Sequence, residues 1–474
     1  MQFLGQREMH KINHANIKDW AKNYDGPLFD GILCDPPYEL NFMNSTWDNT
    51  GIAFDAEMWA DILKLLKPGG HLLAFSGSRT YHRMAVAIED AGFEIRDMIE
   101  WVYGSGFPKS LNIGKSVEAL VTTGNASKNG FSDLNGEKLE RGNWGISKQA
   151  KKHGFRAKNY DTETTKTERI GQLDPTTDEA KHWNGYGTAL KPAHEPCVLA
   201  RKPLDGTCAN NVLKHGTGGL NIDGTRVVAN SKELYRKPTE YNDISPNAGM
   251  NASKVRGSVT DDYLKGRFPA NLIHDGSDEV EAVFPQTTSG GGVKLTGKGS
   301  NNNVKFQNNT IVGDSWQASS GSASRFFYCA KSSKSERNAG LEGFEDAERT
   351  DYGGFHSEKG LIENGRNPEN RVPMKNGHPT VKPLSLTKYL ATLIKPPTGG
   401  RLLVPFSGSG SEMIGALQAG WEYVEGVELT EEYIPIAEAR IKYWQNIPQT
   451  SSKPKVSAKK NEPVQNKAES LTLF

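Results

Sequence analysis

Over the first hundred residues, apolar and polar positions alternate in blocks whose period changes from block to block. Residues 29–34, Phe29-Asp30-Gly31-Ile32-Leu33-Cys34, are a short, mostly apolar run and predict a buried strand. Met58, Ile62, Leu65 and Leu66 recur at helical spacing and predict a helix over 56–66, behind a cap at Asp55. Pro68-Gly69-Gly70 should end that helix. A strand follows over 71–75, a helix over 80–91 stopped by Gly92, and a further strand over 93–102. Strands alternating with helices predict a parallel sheet with helices laid on it.

The pattern then dissolves. Residues 104–185 are rich in Gly, Asn, Ser, Thr and Lys and carry little periodicity. A strand-like run returns at 194–200. Residues 204–370 are again polar and glycine-rich, and read as insertions carrying loops, with one ordered island at 268–273. A separate small domain is the alternative. Alternation resumes near 378, with a helix over 384–394, a strand over 402–404, a glycine-rich turn, a helix over 412–419, a strand over 423–428 and a helix over 431–445. From Ser451 the chain is rich in Ser, Lys, Asn and Pro, a composition expected to stay disordered.

A chain of 474 residues allows two to four domains. No apolar run approaches the ~20 residues a membrane helix needs. The first six residues show no basic-then-apolar signal, so a cytoplasmic protein is expected. The four cysteines show neither CxxC nor zinc spacing, which suits a reducing compartment and gives no case for a metal site. The formal charge of +1 hides an asymmetry, because residues 104–270 hold 25 Lys and Arg against 18 Asp and Glu. A basic middle between acidic ends suits a polyanion, although chance clustering gives the same count.

Two motifs carry chemistry. Pro405-Phe406-Ser407-Gly408-Ser409-Gly410-Ser411 joins a strand to a helix, and its small residues let the backbone approach a ligand at the helix N-terminus. Glu428 ends the next strand, where a carboxylate suits the hydroxyls of a ribose. Asp35-Pro36-Pro37-Tyr38 follows the buried strand at 29–34, at the carboxyl edge of the sheet. The prolines stiffen the loop, Asp35 and the neighbouring carbonyls are acceptors, and Tyr38 offers a flat face. Together they suit a planar ring bearing an exocyclic NH2. Glu195-Pro196-Cys197, the one Pro-Cys pair, reads as the entrance to a core strand rather than a nucleophile loop, and His378 reads as structural.

Asp35-Pro36-Pro37-Tyr38 resembles motif IV of the exocyclic-amino DNA methyltransferases. Phe406-Ser407-Gly408-Ser409-Gly410 resembles their FxGxG motif, and His378-Pro379-Thr380-Val381-Lys382-Pro383 their HPTxKP segment. The order, catalytic motif before cofactor motif, is that of the family's beta group. The resemblance covers roughly 1–103, 186–203 and 371–445, and 101–110 and 183–203 are also similar to phage- and prophage-type methylases. It implies an α/β Rossmann-like fold of circularly permuted motif order, with large loop-rich insertions and S-adenosyl-L-methionine as cofactor. It implies a catalytic half at 1–103, an inserted DNA-contacting region at 104–185 and a strand returning to the core sheet at 186–203. A target-recognition region at 204–370, a cofactor-binding half at 371–446 and a disordered tail at 447–474 complete the organisation.

By position, the resemblance puts Asp35, Pro36, Pro37 and Tyr38 on the flipped base. It puts Phe406, Ser407, Gly408, Ser409, Gly410, Glu428, Thr380 and Lys382 on the cofactor. Val404 and Asn16 stand where most relatives carry acidic residues. The activity implied is methylation of adenine at N6 in double-stranded DNA. Cytosine N4 is the alternative, a catalytically silent DNA-binding protein is the alternative from another class, and an RNA or protein amine is a third. Arg141, Lys151, Lys152, Arg156, Arg226, Arg236, Lys254 and Arg256 are candidates for base or phosphate contact. Ser470-Leu471-Thr472-Leu473-Phe474 resembles the QLxLF peptides that dock on sliding clamps, with Ser470 in place of Gln; a bland tail end is the other reading.

Overall fold

The computed structural model describes residues 9–40, 48–104, 106, 110–123, 175–227, 266–289, 319–330, 334–345 and 375–447. The Arg and Lys candidates for base or phosphate contact other than Arg226, and the tail peptide 470–474, lie outside them. Eleven strands occur among the described residues: β1 His10–His14, β2 Phe29–Cys34, β3 Leu66–Phe75, β4 Glu94–Val102, β5 His194–Arg201, β6 Leu272–His274, β7 Gln286–Ser289, β8 Ser319–Ser322, β9 Tyr328–Cys329, β10 Arg401–Val404 and β11 Tyr423–Glu428. The principal helices are α1 Ile17–Asn23, α2 Ala56–Leu65, α3 Tyr81–Asp90, α4 Ile113–Thr123, α5 Asp178–His182, α6 Cys208–His215, α7 Leu384–Leu393, α8 Ser411–Gln418 and α9 Tyr433–Asn446.

Nine strands form one sheet in the order β1-β11-β10-β2-β3-β5-β4-β6-β9, and β7 pairs with β8 apart from it. All neighbours in the large sheet are parallel except at β5, which runs antiparallel to both β3 and β4. The central β2 is buried throughout, and its side chains alternate between two cores. Leu33 packs into a core with α7, α8 and α9; Ile32 and Cys34 pack into the other, under α1, α2 and α3. A sheet covered on both faces explains why β2 reads as a continuous apolar run.

Local chemistry sets the covering helices. Asp55 caps α2 by accepting the Glu57 and Met58 N–H groups, and Met58, Trp59, Ile62 and Leu65 form its buried face. The helix ends at Leu65 rather than at Pro68-Gly69-Gly70. Leu66 already pairs with Phe29 of β2, and the register then shifts to Gly31 opposite His71, so the Pro-Gly-Gly segment lies in an irregular start of β3. Proline is tolerated there because the ladder is interrupted.

The region 204–370 is not loops alone. Its β6 and β9 extend the large sheet beyond β4, and α6 is capped by the Thr207 hydroxyl. Strands of three and two residues are too short to carry a periodic signal. Among the described residues, no helix is long and apolar enough to cross a membrane.

The topology places the site. β2 and β10 come from opposite ends of the chain yet lie side by side and parallel, with Leu402 opposite Gly31 and Leu403 opposite Ile32. Their following loops, Asp35–Tyr38 and Pro405–Gly410, therefore leave the same edge of the sheet as neighbours. That edge, at a point where chain order reverses, is where open α/β sheets bind ligands.

Candidate active site

The two loops line one continuous cavity of about 990 Å³. This is the upper end of the range of ~300–1,000 Å³ for small-molecule sites, so it has room for more than one group. Asp35, Pro36, Pro37 and Tyr38 line one part; Phe406, Ser407, Gly408, Ser409 and Glu428 line another, and Thr380 also borders it.

On the Asp35 side, Lys382 is the organising residue. Its side chain is 5% exposed, and its Nζ lies 2.5 Å from Asp35 Oδ2 and 3.2 Å from Glu195 Oε2. It also donates to the Tyr38 hydroxyl at 3.0 Å, and that hydroxyl donates to Glu195 Oε2 at 2.8 Å. The Tyr38 carbonyl accepts from the Thr80 hydroxyl at 2.7 Å. Asp35 Oδ1 is buried and has no partner. One carboxylate oxygen is thus fixed by an ammonium while the other is left as an acceptor without a donor, a costly arrangement unless a ligand completes it.

Burial pushes the Asp35 carboxyl above its usual range, against the pull of Lys382. Burial also works against the charge on Lys382, but the surrounding Asp35 and Glu195 carboxylates outweigh it and hold the ammonium above its usual value. The 2.5 Å contact ties the Asp35 carboxyl directly to the Lys382 ammonium. Burial raises the Tyr38 hydroxyl well above its ordinary range, so it stays a neutral donor.

Lys382 was expected beside the cofactor residues; it stands instead against the catalytic tetrapeptide. HPTxKP is a linear motif, and nothing in its spacing says which loop its lysine meets 347 residues away. Sequence reasoning also missed Glu195, at the start of β5, whose neighbour Pro196 drew attention to Cys197 instead. Cys197 itself is 1% exposed, and burial holds its thiol far above the range of a reactive thiolate. Glu412, in the first turn of α8, was missed as well. It is buried, and burial followed by the nearby Asp35 charge pushes its carboxyl up to about 7.

The turn after β10 is held from three directions. Gly410 N–H donates to the Ser407 carbonyl at 2.7 Å, and Ser407 N–H to Val427 of β11 at 2.9 Å. Arg440 of α9, wholly buried, donates to the Ser409 carbonyl, to Ser409 Oγ at 3.0 Å and to Ser411 Oγ at 3.3 Å. Gly408 and Gly410 have φ of +48° and +83°, a region that favours glycine. A Cβ on Gly408 would lie 2.7 Å from His378 Nε2. His378 is itself fixed by donating from Nδ1 to the Thr380 carbonyl at 2.7 Å and by edge-on packing against Tyr433. Burial lowers its pKa to about 4, so the ring is neutral at physiological pH and works as a wall.

Glu428 accepts the Gly408 N–H at 2.7 Å through one oxygen and the Thr430 N–H at 2.8 Å through the other. Each oxygen keeps a second acceptor site. Ser407 Oγ is buried without a partner. These features fit an adenosyl group: acceptors for ribose hydroxyls, an unused hydroxyl and a backbone without side-chain bulk. The carboxylates of Asp35, Glu195 and Glu412 around a single ammonium suit a cationic ligand. Asn16 borders this part of the cavity but spends its side-chain oxygen capping α1 at Lys18 N–H. Val404 is fully buried in the core. Arg226, the one described candidate for base contact, pairs with Asp223 at 2.9 Å.

A family model described as DNA methylase, of the N6/N4 methyltransferase type, matches residues 29–439. None of the curated proteins matches the chain. Among solved structures, the chain is similar to M1.HpyAVI in complex with SAM, at 14% identity and a TM-score of 0.33, over 91% of this chain and 100% of that one. It is also similar to the PvuII DNA methyltransferase, described as cytosine-N4-specific, at 10% identity and a TM-score of 0.37, over 91% of this chain and 86% of that one.

Proposed function

The chain belongs to the DNA methylase family that its residues 29–439 match, and on that premise we propose that it methylates adenine at N6 in double-stranded DNA. It is a methyltransferase that acts on an exocyclic amine of DNA with S-adenosyl-L-methionine as cofactor. The observation that carries the reading is the buried, unpartnered Asp35 Oδ1 in the loop Asp35-Pro36-Pro37-Tyr38. Adenine is favoured over cytosine by that tetrapeptide, since the form beginning with Ser is the more usual one for cytosine N4.

The target amine is buried in the duplex, so the base must leave the stack before it can reach the cavity. The basic stretch 104–270 would hold the phosphates and offset part of that cost. Inside the cavity, Asp35 Oδ1 accepts one amine hydrogen and the Pro36 carbonyl the other, while Tyr38, fixed at its hydroxyl, offers its ring for stacking. Both acceptors draw the nitrogen lone pair out of conjugation with the ring and stabilise the positive charge that develops on nitrogen. Lys382 keeps the Asp35 carboxylate in one orientation, so no reorganisation is needed during transfer. Phe406, Ser407, Gly408, Ser409 and Glu428 would hold the adenosyl part of the cofactor, with Thr380 at the border, while Gly410 lies outside the cavity lining, against Ala437, and shapes the turn. When bound, the cofactor supplies an electrophilic methyl group on a sulfonium centre. The new N–C bond would form as the methyl–sulfur bond breaks and leaves a neutral thioether, and the proton that the amine loses would pass to the Asp35 carboxylate that accepts it.

The test uses the full chain, mixed-sequence unmethylated DNA and methyl-labelled cofactor, followed by digestion to nucleosides. Label in N6-methyladenine, absent with Asp35→Ala, supports the reading. Label in N4-methylcytosine overturns the choice of base. No label in any nucleoside, together with no cofactor affinity, would instead mark a silent DNA-binding protein.

A further inference from the structure

Beside the Asp35 end of the cavity, the segment 188–193 presents an apolar side chain with nothing to cover it. Leu190 is 91% exposed, the most exposed large hydrophobic residue among those described, and it lines the rim of the cavity that contains Asp35 and Tyr38. The segment cannot fold over to bury it, because it is pinned on both sides. Before Leu190, Gly187 bridges to Asn112, Thr188 N–H donates to Ser110 Oγ at 2.9 Å, and Leu111 N–H donates to Thr188 Oγ1 at 2.9 Å. After it, Lys191 donates to the Gly104 carbonyl, and the Ala193 carbonyl accepts the Tyr103 N–H at 2.9 Å. A few residues upstream, Trp183 and Tyr186 pack edge to face and are 43% and 59% exposed.

A rigid loop with an apolar tip beside a cavity for a planar base has a physical use. Extruding a base opens a gap in the stack, and the base left opposite loses its neighbour. An apolar side chain placed in that gap restores contact to the orphaned base and resists the return of the extruded one, as apolar wedges do at base steps elsewhere. We infer that Leu190 is such a positioning residue, a wedge that enters the duplex where the target base departs. The inference rests on the reading that this cavity takes a flipped base from DNA. Its position on the cavity rim keeps the wedge on the side of the base's exit, and the hydrogen bonds around it fix its height.

The test compares the full-length wild type, Leu190→Ala and Leu190→Met on two duplexes carrying the methylated site, which sequencing of methylated plasmid DNA locates. In one duplex the target base is correctly paired; in the other it is mispaired, so that it leaves the stack at little cost. Single-turnover methylation rate and duplex affinity are read for each. Leu190→Ala should lose at least ~10-fold on the paired duplex and under ~3-fold on the mispaired one, because only the first asks the wedge to oppose re-pairing. Leu190→Met should stay close to wild type on both. Equal losses on the two duplexes, or no loss on either, would overturn the wedge. Failure of the wild type to label any DNA would be a different result: it would remove the flipped-base reading itself, and the wedge with it.

Discussion

Replacing Lys382 by Met keeps the length of the side chain and removes its charge from between the Asp35 carboxylate and the part-buried Glu195 carboxylate. At an effective dielectric of ~20, opposite charges at the observed 2.5 Å attract by roughly 7 kcal/mol and at 3.2 Å by roughly 5. Desolvation of the three groups takes back most of that sum. What the variant loses is set by the charges left behind without a counter-charge, Asp35 at 9% exposure and Glu195 at 20%, for which the ~3–5 kcal/mol of a fully buried pair is the upper bound. The ammonium's pKa lies above its ordinary 10.5, so its contribution is present in full at neutral pH, falls as pH rises from 10.5 through the folded value, and is gone above it. With Lys382 gone, burial and Glu195 both act to raise Asp35, and the acidic limb of the single-turnover rate should move up by ~1–3 pH units. Urea unfolding at pH 7 and a rate profile from pH 5 to 9 read the two effects. The double variant Lys382→Met with Asp35→Asn should recover at least ~2 kcal/mol of the stability lost, because one stranded charge is removed. A single variant that loses under ~1 kcal/mol and keeps the wild-type pH profile would refute the reasoning.

Glu412 should make cofactor binding depend on pH. As pH rises through about 7 its carboxyl ionises, adding a negative charge to the cavity. Affinity for the cationic cofactor relative to its uncharged thioether product should therefore rise by about tenfold between pH 6 and 8, and calorimetry on Glu412→Gln should find a flat ratio. Gly408→Ala should weaken cofactor binding at least ~30-fold, since the added methyl meets the fixed His378 ring at 2.7 Å and φ is +48°. Normal cofactor affinity in that variant would show that the turn does not approach the ligand.

The parts of this molecule that could be read from sequence are those whose chemistry is local. Asp35-Pro36-Pro37-Tyr38 follows a run of six buried residues, and Phe406–Gly410 follows another strand, so each motif announced its own setting. The alternation of strands and helices gave the parallel sheet. The antiparallel pairing of β5 on both sides was not legible, because strand direction leaves no trace in the periodicity of an apolar run. β6 begins inside the ordered island read at 268–273, although its three residues gave no strand period, and β9 was lost among polar loops because two residues cannot show one. The Lys382–Asp35–Glu195 cluster joins three distant parts of the chain, and its existence depends on β2, β5 and α7 meeting at one edge. Glu412 looked like an ordinary first-turn acid; only its burial marks it as part of the site.

The central claim is that Asp35 Oδ1 is the acceptor for the target amine, distinct from the groups that hold the cofactor. The direct measurement is Asp35→Asn, read for cofactor affinity and for single-turnover methyl transfer in the same preparation. Lys382 will draw the amide oxygen toward itself and leave the NH2 where Oδ1 stood, so a donor faces the amine. Cofactor affinity should stay within ~3-fold of wild type, while methyl transfer falls by ~10²–10³. Transfer at the wild-type rate would contradict the claim, as would a loss of cofactor binding large enough to account for the whole defect.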